Sequence, residues 1–319
     1  MARRVPAGPR RLPPGTFRAM AELGFDGKVA IVTGAGGGLG RQHALLLASR
    51  GARVVVNDLG GSVRGEGADL GPAERVVEEI KAAGGEAVAD GHNVSTPEGG
   101  EAIVQTAIDA FERVDIVVNN AGILRDKTFH NMTPDLLEPV IDVHLKGAFY
   151  VTKPAWLHFR EQGYGRVINT SSNSGILGNF GQTNYGAAKM GLVGFTRVLA
   201  AEGAKYNIKV NAIAPLARTR MTEDLMGDAV SKLDPELVAP VVTWLAHEDV
   251  PVSGEVFTVG GGRVGRFFIG MTKGYYNPKL SPEDVRDHVA EIRDETGYTV
   301  PAGPADEFRL LLGTIESAG

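Results

Sequence analysis

Between an apolar run, Val29 to Val32, and an apolar-periodic stretch from Gln42 to Ser49 lies Thr33-Gly34-Ala35-Gly36-Gly37-Gly38-Leu39-Gly40. A short buried strand that runs through clustered glycines straight into a helix leaves few folds open. Glycine lets the chain turn tightly and lets backbone N–H groups approach an anion at the helix N-terminus. In this setting Gly34, Gly38, Leu39 and Gly40 are candidate residues for cradling the pyrophosphate of a dinucleotide. A merely flexible turn is the bland alternative.

The alternation continues along the chain. Arg53 to Asn57, Glu86 to Ala89, Ile116 to Val118, Val167 to Asn169 and Lys209 to Ile213 read as strands, and Ala73 to Ala83 and Glu101 to Phe111 as helices. Strands separated by helices of this length predict an α/β fold: a three-layer, doubly wound parallel sheet with right-handed crossovers. No repeat or linker interrupts residues 24–262, which are expected to form one domain. Residues 263–319 are more polar and read as a partly helical C-terminal extension. There Ser281-Pro282-Glu283-Asp284 combines an N-cap, a proline at the first helical position and first-turn acids. Residues 1–23 are expected to be a disordered basic tail: Met1 to Ala19 holds five arginines, four prolines and no acid. It has no apolar stretch of the kind a secretory signal requires. Translation starting at Met20, or a functional basic arm, are the other readings.

Composition excludes several function classes. The net charge of -5 provides no basic surface for nucleic acid. With no cysteine, disulfides and zinc–cysteine sites are ruled out. The histidines form no ligand-spaced cluster, so no metal is expected. No apolar run approaches the ~20 residues that span a bilayer, and a cytoplasmic enzyme is the expected setting.

Asp58 closes the second strand 18 residues after Gly40. An acid about 20 residues beyond the glycines hydrogen-bonds the adenine ribose and repels a 2′-phosphate, so Asp58 argues for NAD over NADP. Arg64, close by, could soften that preference. Tyr185 and Lys189 stand four apart and share one face if that segment is helical. A neighbouring ammonium favours the tyrosinate and would lower a pKa that is otherwise near 10. Tyr185 then exchanges a proton with an alcohol or ketone, and Ser172, thirteen residues upstream, could hold the substrate oxygen. Tyr275 and Lys279 match the same spacing, but Pro278 interrupts them and no serine lies thirteen residues before.

Taken in order, Thr33-Gly34…Gly38…Gly40, Asn119-Asn120-Ala121-Gly122, Ser172 and Tyr185…Lys189 resemble the short-chain dehydrogenase/reductase family, over about Lys28 to Gly262. The resemblance implies a Rossmann-type fold and a dimer or tetramer acting on a small-molecule alcohol or ketone. It also implies that Asn120, Ala121 and Gly122 lie under the cofactor, and that Lys189 holds the nicotinamide ribose while tuning Tyr185. Four positions depart from the usual pattern. His144 stands where an asparagine supports a proton relay, and Asn93, before Val94, where an aspartate meets adenine. Pro215 is followed by Leu216 rather than glycine, and Gly260-Gly261-Gly262 replaces an aspartate-glycine-glycine. With Gly178-Asn179-Phe180-Gly181-Gln182 and Trp244-Leu245…His247-Glu248, these departures are similar to one branch of the family. That branch is the dehydrogenase domain of peroxisomal multifunctional enzyme type 2 and its stand-alone bacterial relatives. The branch implies oxidation of (3R)-hydroxyacyl-CoA to 3-oxoacyl-CoA in a β-oxidation-type pathway. A 17β-hydroxysteroid dehydrogenase, a 3-oxoacyl reductase, or a non-enzymatic dinucleotide sensor or scaffold are the alternatives.

Overall fold

The computed structural model describes residues 22–218 and 233–317; most of the segment expected as an N-terminal tail lies outside them. Eight strands form one sheet in the order β3-β2-β1-β4-β5-β6-β7-β8. They are β1 (Val29–Thr33), β2 (Arg53–Asn57), β3 (Ala87–Asp90), β4 (Ile116–Asn119), β5 (Gly165–Thr170), β6 (Ile208–Pro215), β7 (Val256–Gly260) and β8 (Arg263–Phe267). β1 to β7 are parallel. Gly261 and Gly262, at φ 55° and 78°, turn the chain back, and β8 pairs antiparallel with β7 as an edge strand. Positive φ at both central residues suits the two-residue turn that matches strand twist. The rest of the C-terminal extension, residues 268–317, follows this strand.

Both faces of the sheet are covered, which explains why β1 reads as a continuous apolar run rather than an alternating one. Ala30, Val32, Val54 and Val56 face a layer made by α1 (Gly38–Ser49), α2 (Gly71–Ala82) and α8 (Ala239–Ala246). Val29, Ile31, Val55 and Val117 face the opposite layer, made by α3 (Pro97–Phe111), α5 (Gly147–Gln162) and α7 (Thr183–Gly203). Leu23, at the edge of the described chain, packs against the first of these cores. The extension carries α9 (Pro282–Asp287), α10 (Val289–Ile292) and α11 (Pro304–Ser317). Ser281 and Asp284 form the reciprocal capping box at the start of α9.

The strand order reverses between β1 and β4. Connections from these two strands leave in opposite directions, which opens a crevice at their carboxyl ends, the ligand position of doubly wound sheets. At the other end of the sheet, the fully buried Arg166 of β5 has no carboxylate partner among the described residues. Its guanidinium donates to the carbonyls of His247, Gly165, Asn207 and Glu248 at 2.8–3.1 Å.

His43 in α1 is fully buried, and neither ring nitrogen has a partner among the described residues. Burial pushes its pKa down to about 3. The unfolded chain binds a proton below about 6.5 that the folded chain refuses. The stability linked to a neutral His43 is therefore complete above pH 6.5 and is lost as pH falls from there toward 3, by about 2 kcal/mol at pH 5. His43→Leu is expected to shift the acid-unfolding midpoint to lower pH, read by circular dichroism. An unchanged midpoint would show that this ring does not set the acid limit.

Candidate active site

The crevice at the switch point has a volume of about 840 Å³. Gly34, Gly38, Leu39, Asp58, Asn93, Val94, Asn120, Ala121, Gly122, His144, Ser172, Tyr185, Lys189 and Pro215 all line it, so the topology gathers residues spread over most of the chain. Of the residues expected there, Gly40 alone lies off the surface. A Cβ at Gly40 would collide with the carbonyl of Gly34 and with the Asn120 amide; this glycine lets α1 pack against the loop that precedes it.

The glycine loop is fixed from below. Asn120 donates its side-chain amide to the carbonyls of Thr33 at 3.0 Å and Gly34 at 3.1 Å. Thr33 Oγ1 in turn accepts the backbone N–H groups of Asn120 and Ala121 at 3.0 and 3.1 Å. The side chain of Asn120 is thus spent on holding the loop. Asp58 Oδ2 accepts the N–H of Gly36 at 2.8 Å, and Oδ1 accepts that of Gly60 at 2.7 Å. A Cβ at Gly36 would stand 2.8 Å from that carboxylate. A carboxylate oxygen has capacity for more than one donor, so Asp58 can hold its loop and still accept ribose hydroxyls. These features fit a dinucleotide. Asn93 turns its Oδ1 to the N–H and hydroxyl of Ser95, both at 2.9 Å. The nearby carboxylate is instead Asp90, buried and bonded to Asn57, His92 and Thr106. Burial alone would raise its pKa, but those hydrogen bonds hold it below the usual carboxylate range.

At the reacting end, α7 begins at Thr183 and places Tyr185 and Lys189 on one face, with Lys189 Nζ 5.4 Å from the centre of the tyrosine ring. Nζ donates to the carbonyl of Thr170 at 2.5 Å. Ser172 caps α6 (Asn173–Leu177), its hydroxyl accepting the N–H of Ser174 at 3.1 Å. The expectation that Lys189 depresses the Tyr185 pKa does not hold in this state. Burial pushes the tyrosine above 10, with the charge of Asp126 adding to the rise and a hydrogen bond from Ser172 opposing it. The same burial lowers Lys189 to about 7. Desolvation, which disfavours each charged form, outweighs their mutual attraction.

His144 sits on a π-helical turn, Asp142–Lys146, between α4 (Pro134–Ile141) and α5. Such a turn adds a residue per loop and redirects one side chain; here the ring is turned inward, edge-on to Tyr185 at 5.1 Å. A Cβ at Gly122 would collide with it, so that glycine makes room for the imidazole. Nε2 lies 2.8 Å from the carbonyl of Ile123 and 3.1 Å from its N–H. The shorter contact, to the carbonyl, favours the proton on Nε2 over the tautomer that accepts the Ile123 N–H, which makes Nδ1 an acceptor, buried and with no partner among the described residues. Burial, and then the charge of Lys189, keep the ring neutral well below its ordinary value.

Sequence reasoning missed how the start of α7 is held. Asn184, buried beside Tyr185, donates to the carbonyls of Arg125 at 2.9 Å and Leu136 at 2.8 Å, and accepts the N–H of Tyr185 at 2.8 Å. Gln182 donates to Asp126 at 2.6 Å. The asparagine directly before the tyrosine was the available signal. Tyr275, of the rival pair, stacks on His288 at 3.8 Å, and neither it nor Lys279 lines the crevice. Among the described residues no group of three or more histidines or carboxylates could hold a metal ion, and no helix is long and apolar enough to cross a membrane.

Comparison with known proteins converges on one family. The family model described as short chain dehydrogenase matches residues 28–229. A short-chain type dehydrogenase/reductase of Mycobacterium tuberculosis is 52% identical over 279 residues, which cover 87% of this chain and 98% of that protein. Peroxisomal multifunctional enzyme type 2 of Mus musculus is 49% identical over 284 residues, covering 88% of this chain but 38% of the enzyme. Among solved structures, full-length peroxisomal multifunctional enzyme type 2 from Drosophila melanogaster superposes with a TM-score of 0.79 at 40% identity, over 92% of this chain and 50% of that one. A short chain dehydrogenase from Mycobacterium avium gives 0.73 at 45% identity, over 84% of this chain and 94% of its own. The chain thus spans only part of the multifunctional enzymes and nearly all of the mycobacterial proteins. With its glycine loop, strand order and Ser172, Tyr185 and Lys189 already in place, it belongs to the short-chain dehydrogenase/reductase family and is an oxidoreductase acting on CH–OH groups.

Proposed function

We propose that this chain oxidises a (3R)-hydroxyacyl-CoA to the 3-oxoacyl-CoA with NAD. The observation that carries the reading is Asp58: an acid at the end of β2, facing the crevice and held by Gly36 and Gly60. A carboxylate there accepts the two hydroxyls of an unmodified ribose and repels a 2′-phosphate. The substrate class rests on likeness, namely the sequence match to the peroxisomal multifunctional enzymes and the histidine at position 144. The exposed apolar residues Phe149, Leu157, Met190 and Val198 on α5 and α7 support a dimer or tetramer.

When bound, the oxidised nicotinamide supplies the hydride acceptor. The residues of the chain handle the proton. Ser172 holds the substrate oxygen and Tyr185 Oη accepts its proton. A tyrosine whose pKa is raised by burial is seldom ionised, and a positive charge brought beside it favours the tyrosinate. Lys189, lowered to about 7 by burial, would hold a ribose hydroxyl of the cofactor and can pass a proton on. We assign Nδ1 of His144, a buried acceptor with no partner among the described residues, to holding a relay water. It does so as a neutral base, because burial keeps the ring uncharged.

The test is NADH formation by purified protein with (3R)- and (3S)-hydroxyacyl-CoAs, steroid-side-chain acyl-CoAs and free 17β-hydroxysteroids. Turnover of the (3R)-acyl-CoAs with NAD is expected; turnover of free steroid alone would overturn the substrate. Tyr185→Phe is expected to lower kcat by about 10²–10⁴-fold while leaving NADH binding in place; full turnover would remove Tyr185 from the chemistry. Asp58→Ala is expected to weaken NAD by about 10- to 100-fold and to narrow its advantage over NADP. Unchanged selectivity would sink the cofactor assignment.

A further inference from the structure

Resting on the dinucleotide reading above, we infer that Arg125 is a positioning residue that straps the loop between β2 and α2 across the cofactor crevice and so controls how long the dinucleotide stays bound. The loop, residues 59–70, starts directly after Asp58, and Gly61, Ser62, Val63 and Gly65 line the crevice. It is closed at its neck by a hydrogen bond from Asp69 N–H to the carbonyl of Leu59 at 2.9 Å. Its tip is drawn in by bonds from Ser62 and Gly65 N–H to the carbonyls of Glu66 and Ser62, at 2.8 and 2.9 Å. Gly65 stands at φ 81° with Ile123 against it, so close that a Cβ there would lie 3.1 Å from the isoleucine side chain.

Two bonds join this loop to the segment after β4. Leu124 N–H donates to the carbonyl of Val63, and Arg125 Nε donates to the carbonyl of Arg64, both at 2.9 Å. The guanidinium needs a fixed anchor on its far side, and α4 supplies one. Pro139 has no N–H to offer the carbonyl four residues before it, which is that of Asp135; Arg125 Nη1 donates to that carbonyl at 2.7 Å. Arg125 thus spans from α4 to the loop that follows the ribose-binding acid. A hydrogen bond from a charged donor is stronger than the neutral one at Leu124, so the arginine is the stronger of the two ties. At its ends the loop is also tied by the Gly60 N–H to Asp58 Oδ1 and by Leu70 beside Gly91, so loss of the arginine leaves its tip joined to the segment after β4 by one backbone bond and the Ile123 contact.

The test is NADH affinity and dissociation rate, read by NADH fluorescence in titration and stopped flow, for wild type, Arg125→Leu, Arg125→Lys and Gly65→Ala. Arg125→Leu is expected to raise the NADH dissociation constant by about tenfold, with most of the change in the dissociation rate, and to leave the melting temperature of the free protein near wild type. Arg125→Lys, able to reach one carbonyl but not both, should recover part of the loss. Gly65→Ala, which strains the loop without touching the arginine, should speed dissociation too. Unchanged affinity and dissociation in folded Arg125→Leu would overturn the strap while leaving the dinucleotide reading intact. Failure of the wild-type protein to bind NADH would overturn both.

Discussion

The hydrogen bonds between Thr33 and Asn120 decide how the rest of this molecule can work. They join the ends of β1 and β4, the two strands between which the connections change direction. Thr33 Oγ1 accepts the backbone N–H groups of Asn120 and Ala121, just after β4, and the Asn120 amide returns two hydrogen bonds, to the carbonyls of Thr33 and Gly34 where the glycine loop begins. The loop is therefore rigid although it is rich in glycine. A pyrophosphate needs its N–H groups aligned before it arrives, because ordering a slack loop at the moment of binding costs affinity. From this joint, one segment leads into the Asp58 side of the crevice and the other into Ile123, His144 and the start of α7.

Part of this was legible in the sequence, and the reason is period. The apolar run of β1 and the helical spacing after it give the layer structure, because a strand buried on both faces has no alternative. Asp58, Ser172, Tyr185 and Lys189 could be read because each falls at a fixed distance from an element boundary. The Gly261-Gly262 pair carries a hairpin signal as well, one that comparison with the family's aspartate-glycine-glycine obscures.

What was not legible depends on contacts between segments far apart in the chain. Nothing in Asp142 to Lys146 announces a π-helical turn; it is visible only with Gly122 beside it, leaving space for the His144 ring. Nothing in the sequence pairs Arg125 with α4; the link is visible only once Pro139 is seen to leave a carbonyl free for it. The reversal at Tyr185 has the same origin. Spacing along a helix gives the distance between Tyr185 and Lys189 but says nothing about how dry their surroundings are, and dryness decides the direction of the shift.

That dryness links stability to chemistry. Tyr185, Lys189 and His144 are each pushed toward the uncharged form. For Lys189, a proton that the unfolded chain keeps up to a pH of about 10.4 is released by the folded chain near 7, so the fold is weaker at neutral pH than at alkaline pH by an amount on the order of several kcal/mol. A surface lysine would carry no such penalty, but it would also be fully charged, hydrated and unable to yield a proton near pH 7. The same burial leaves Nδ1 of His144 without a partner among the described residues, a costly arrangement in a static core and one that suits the proton transfer proposed for Tyr185. The core supplied by the two helical layers is what makes such a site tolerable: a large, well-packed scaffold offsets the cost of burying three groups in forms that they would not hold in water.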